Sequence, residues 1–114
     1  MANRHRGETT LMVAGDALPM RLTLGALAEL EHAFAVDSLP ALGERFIDGR
    51  LSARDIIWIL AAGLRGAGSA IRDEDVAGLS FDGGLSGAIK AAIALLEATF
   101  GEGDTGRPPQ PPGA

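Results

Sequence analysis

The sequence predicts an α+β domain, an N-terminal β-hairpin packed on a small bundle of about four helices, and three observations predict it. Apolar residues alternate with polar ones near the N-terminus, around a Gly-containing turn. From Thr23 onward they recur every three or four positions, the period of an amphipathic helix. After Phe100 the composition changes to Gly, Asp, Pro and Gln. We therefore place a single domain at residues 1–100 and a flexible Gly/Pro-rich tail at 101–114, because 114 residues support one core and not two.

The hairpin begins with Thr9 to Val13, rich in strand-compatible residues, and turns at Ala14-Gly15-Asp16. Its return strand, Leu18 to Thr23, puts Leu18, Met20 and Leu22 on one face. Pro19 has no N–H to donate, which marks an edge. Thr23 can cap a first helix with an apolar stripe of Leu24, Leu27, Leu30 and Phe34. Glu29 and His32 fall off that stripe, and Glu31 sits near its border.

A second helix starts at Ser38, carries Leu39, Leu42 and Phe46, and stops at Gly49. Pro40 fits its first turn, where no N–H is needed. The third helix opens with Ser52 and Asp55 in capping-box spacing, although Asp is shorter than the preferred Glu or Gln. Ile56 to Leu60 make it apolar on most sides, as a central core helix is, and Gly66 and Gly68 end it. Arg72 to Val76 make a short helix with acids at its N-terminus. Phe81 to Gly84 form a turn. A last helix, about Leu85 to Phe100, carries the stripe Leu85, Ile89, Ile93, Leu96 and Phe100, with Lys90 and Glu97 off it.

A net charge of −5 repels the phosphate backbone on which nucleic-acid affinity depends, and the basic cluster Arg4-His5-Arg6 is confined to a terminus. The chain has no cysteine, so disulfides, thiolate metal sites and cysteine nucleophiles are excluded. No signal-peptide run opens the sequence, and Ile56 to Leu64 is too short to cross a bilayer. A cytoplasmic protein is expected.

Candidate chemistry is sparse. His5 and His32 share no metal-ligand spacing. Asp73-Glu74-Asp75 lacks the alternating carboxylates and distal Glu of a calcium loop and reads as a helix N-terminal cluster. Glu29 and Glu31 point in different directions on a helix. No serine lies in a Gly-x-Ser-x-Gly elbow, and no Gly-Lys-Ser/Thr follows the glycines, which helix ends and turns explain. With no Tyr and one Lys, few groups remain for acid–base work. We expect neither an enzyme nor a metal or cofactor site. The second and third helices could pass for a helix-turn-helix, but the would-be recognition helix offers Ile56, Ile57, Trp58, Ile59 and Leu60 to the groove.

The stretch Leu22-Thr-Leu-Gly-Ala-Leu-Ala-Glu-Leu-Glu31, with Phe34, Gly49-Arg-Leu-Ser-Ala-Arg-Asp-Ile-Ile57 and Ala62-Gly-Leu-Arg-Gly66, resembles a small family over roughly residues 7 to 100. It is similar to the tail-gene proteins of alphaproteobacterial gene transfer agents and their siphophage relatives, classed with phage tail assembly chaperones and also labelled tail tube proteins. The motifs are packing and capping motifs. The resemblance implies a morphogenesis protein that binds the tape-measure protein and helps recruit tail tube protein around it. The alternatives are a structural tail tube or tube-associated subunit and, further off, a small DNA-binding regulator. Self-association is compatible with each. The partner surface expected from the helix pattern includes Glu29, His32 and Lys90.

Overall fold

The computed structural model describes residues 7–47 and 50–101. Arg4, His5, Arg6, Gly49 and the tail beyond Gly101, each given a role above, lie outside the described residues. The architecture is α+β. Strands β1 (Glu8–Val13) and β2 (Asp16–Arg21) precede helices α1 (Leu24–Phe34), α2 (Leu39–Ile47), α3 (Ala53–Gly66), α4 (Asp73–Ala77) and α5 (Gly84–Leu96). A π-helical turn, Glu97–Gly101, extends α5.

β1 and β2 pair antiparallel with Leu11 opposite Leu18 and Val13 opposite Asp16. Only Ala14 and Gly15 are left to turn the chain, and both have positive φ, 52° and 84°. This is the two-residue turn whose twist matches the strands it joins. It brings the return strand in at Asp16, ahead of the Leu18 expected from alternation. The strand also ends earlier, at Arg21, which frees Thr23 to cap α1 by accepting from the Ala26 N–H at 3.1 Å. Leu11, Met20 and Leu22 are buried, while Leu18 is half-buried.

α3 is the central helix, as its apolar sequence implied. Ile56 and the run from Ile59 to Leu64 are buried against the hairpin, α1, α4 and α5. Its capping box forms in full: Ser52 Oγ accepts from the Asp55 N–H at 3.1 Å, and Asp55 Oδ2 accepts from the Ser52 N–H at 3.0 Å. Gly63 and Gly66 correct the view that glycines here serve only ends and turns. A Cβ on Gly63 would approach Met20 Cβ to 3.2 Å, and one on Gly66 would overlap the Arg21 carbonyl oxygen. Both glycines let α3 lie directly on β2.

Two predicted stripes need correction. On α1, Leu24 is 77% exposed, and the buried face is Ala26, Leu27 and Leu30, with Phe34 half-buried. Leu24, in the first turn, faces solvent. On α5 the inward face is Ala88, Ala92, Leu95 and Leu96, while Leu85, Ile89 and Ile93 are exposed. Small alanines permit the close approach to β1 and α3, so the larger residues of the predicted stripe turn outward.

The segment before α5 does more than turn. The Asp82 N–H donates to the Met12 carbonyl at 3.0 Å, Phe81 bridges to Val13, and Asp82 Oδ2 accepts from the Gly15 N–H at 3.0 Å. These bonds tie the chain to the outer edge of β1.

Candidate functional site

Two surface depressions lie on either side of a row of aromatic rings. Phe34 meets Trp58 and Phe46 edge-on, with centroids 5.4 and 5.2 Å apart, and Phe46 lies 6.0 Å from Phe100. Such contacts favour fixed ring geometry as well as apolar burial. The row fixes α1, α2, α3 and the end of α5 relative to one another.

The first depression, a cleft of about 350 Å³, opens beside Trp58. α1 supplies Glu29 and His32, α3 supplies Trp58 and Arg65, and α4 supplies Asp73. Arg65 is the hub. Its guanidinium donates to Glu29 Oε1 at 2.8 Å, to Asp73 Oδ1 at 3.1 Å and to the Ile71 carbonyl at 3.0 Å. Hydrogen bonding to Glu29 raises the Arg65 pKa against the opposing effect of burial, and the Asp73 bond adds to the rise. Arg65 therefore stays charged throughout the working range of pH. These donors are directed at groups of this chain, and Leu30, Ala33, Trp58 and Ala62 supply the apolar part of the cleft lining.

The second depression is an apolar groove of about 400 Å³ between α2 and the end of α5. Gly43, Phe46 and Ile47 form one wall, Ile93, Leu96 and Phe100 the other. Ile47 is 84% exposed and Ile93 42%. A partner covering such side chains gains about 25 cal/mol for each Å² of apolar surface removed from water.

The structure brings Glu29 and His32 together at the rim of the cleft, one α-helical turn apart. It does not bring Lys90 to them. Lys90 is exposed on α5, and α3 packs between that helix and α1. Arg65, Asp73 and Trp58 were not assigned to the partner surface from sequence, because their convergence depends on the α1–α3–α4 crossing. The one usable signal was that Trp58 is the sole Trp of the chain.

Among the described residues, no group of three or more His, Asp or Glu is placed to hold a metal ion. No helix there is long and apolar enough to cross a membrane. Buried Asp55 has a structural partner: Arg45 donates to its Oδ2 at 3.0 Å while lying over the Phe34 ring.

Compared with known proteins, residues 6–102 match the model of a family described as phage tail tube protein, GTA-gp10. No curated protein and no solved structure matches the chain.

Proposed function

The chain belongs to the phage tail tube protein family GTA-gp10, and from that premise we propose that it is a structural tail tube or tube-associated subunit acting by protein–protein contact. The match over residues 6–102, nearly the whole domain, carries this reading. It also makes other phage tail proteins the partner class. The cleft at Glu29, His32 and Trp58, which mixes apolar and charged groups, and the mostly apolar groove at Ile47 and Ile93 supply surfaces of the right character. We propose no catalytic step and no cofactor. Its place is in the assembling tail and then in the particle.

A second reading, an assembly chaperone that engages the tape-measure protein in the cytoplasm and then leaves, draws on the sheet. Among the described residues it has two strands. The outer edge of β1 is occupied near Met12 and Val13 by Phe81 and Asp82, and β2 carries Pro19. A subunit that closes a ring by strand addition needs free edge groups, and this hairpin offers few.

Quantitative mass spectrometry of purified particles decides between the two. A tube subunit is expected in many copies per particle, comparable with other tail proteins. Its absence from finished particles, together with capture on tape-measure protein in assembly intermediates, would establish the chaperone reading instead.

A further inference from the structure

We propose that the exposed face of α5 is a self-complementary surface on which two copies of this chain pack antiparallel about a two-fold axis. The proposal does not depend on the tail reading. Leu85, Ile89 and Ile93 recur every four residues on α5 and are 69%, 36% and 42% exposed. Half-buried Phe100 prolongs this stripe towards the groove. One flank of the stripe is closed by the chain's own core through Ala88, Ala92 and Leu95.

The other flank carries one base and one acid, Lys90 and Glu97, both exposed and two helical turns apart. Neither is ion-paired within the chain among the described residues. Lys90 is the one lysine of a chain with net charge −5, so this face is electrically neutral on an acidic protein.

The order of charges selects the occupant. When two such helices pack antiparallel, like flanks face each other, and Lys90 comes opposite the partner's Glu97. The two-fold repeats that pair with the signs exchanged. Parallel packing loses this match, because the flank then meets the partner's opposite side. In the antiparallel register Ile93 and Ala94 lie near the axis and Ile89 lies towards the partner's Phe100. Ile89 and Ile93 are covered while opposite charges meet along their rim, the arrangement that fixes register in a self-associating surface.

Sedimentation velocity on the full chain tests the proposal, with circular dichroism to show that each variant is folded. The wild-type chain is expected to be in monomer–dimer equilibrium. Lys90→Glu and Glu97→Lys should each weaken the dimer about tenfold, since each replaces two attractive contacts with two repulsive ones. The double variant, K90E with E97K, should restore affinity to within about threefold of wild type. Ile89→Asp, which places a charge in the seam, should leave a monomer. Sedimentation as a monomer up to about 1 mM, where even a weak site fills, would overturn the proposal. So would an oligomer indifferent to the charge exchange, because its interface would lie elsewhere.

Discussion

Ala14 and Ala35 both occupy left-handed backbone, with φ of 52° and 57°, where a Cβ is unfavourable. Ala35 closes α1, its N–H donating to the His32 carbonyl at 3.2 Å while the Val36 N–H reaches the Glu31 carbonyl at 3.0 Å. This is the paired bonding that glycine usually completes. Both alanines are exposed, so replacing them disturbs no packing. Ala14→Asn and Ala35→Gly should each raise stability by about 0.5–1 kcal/mol, measured as a higher urea midpoint at unchanged slope. Gly66 is the opposite case. Gly66→Ala should destabilise by about 2–4 kcal/mol, because the new methyl group meets the Arg21 backbone carbonyl, which has no free rotamer to escape into. The residue pattern placed these glycines in a helix and its end but could not show that a strand backbone lay against them.

At the scale of the element, caps were the most legible features. Thr23, Ser38 and Ser52 are each the residue whose hydroxyl accepts the orphan N–H of the helix it precedes, because capping is chemistry within one turn of the chain. Ser52→Ala should cost about 1 kcal/mol in chemical denaturation. Asp55→Ala should cost more, about 2–3 kcal/mol, since it removes the other half of the box and also strands Arg45 beside Phe34. Helix faces were less legible. Periodicity located α5, but its stripe of large residues is not the face that docks. Leu85→Gln should therefore change the stability of the monomer by less than about 0.5 kcal/mol, whereas Ala92→Leu should cost about 1–3 kcal/mol by overpacking against the hairpin and α3.

For the whole molecule, the aromatic row from Trp58 through Phe34 and Phe46 to Phe100 joins the cleft to the groove. Phe34 touches both its neighbours and supports the Arg45 guanidinium. Phe34→Leu should lower stability by about 1–2 kcal/mol and loosen both depressions together, seen as faster amide exchange at the ends of α1 and α2. Of the expected partner surface, Glu29 and His32 share the cleft rim, and Lys90 belongs to a separate face. Helical spacing could relate Glu29 to His32 because they lie on one helix. It could not relate either to Arg65, Asp73 or Lys90, which depend on how three other helices cross.

By itself the sequence determined that this is a hairpin followed by helices, where those helices begin, that α3 is central, and which tail-protein family the chain resembles. Each of those follows from interactions within a few residues or from a contiguous motif. Tertiary structure decided which side of α5 faces the core, which glycines are packing sites, and that Arg65 ties Glu29 to Asp73. The α5 outcome shows why. Ala88 and Ala92 bury less surface than Leu85, Ile89 and Ile93 would, yet only the small face allows α5 to close onto β1 and α3. Close packing between elements thus overrode apolarity along one, and the stripe that periodicity assigned to the core became an exposed surface.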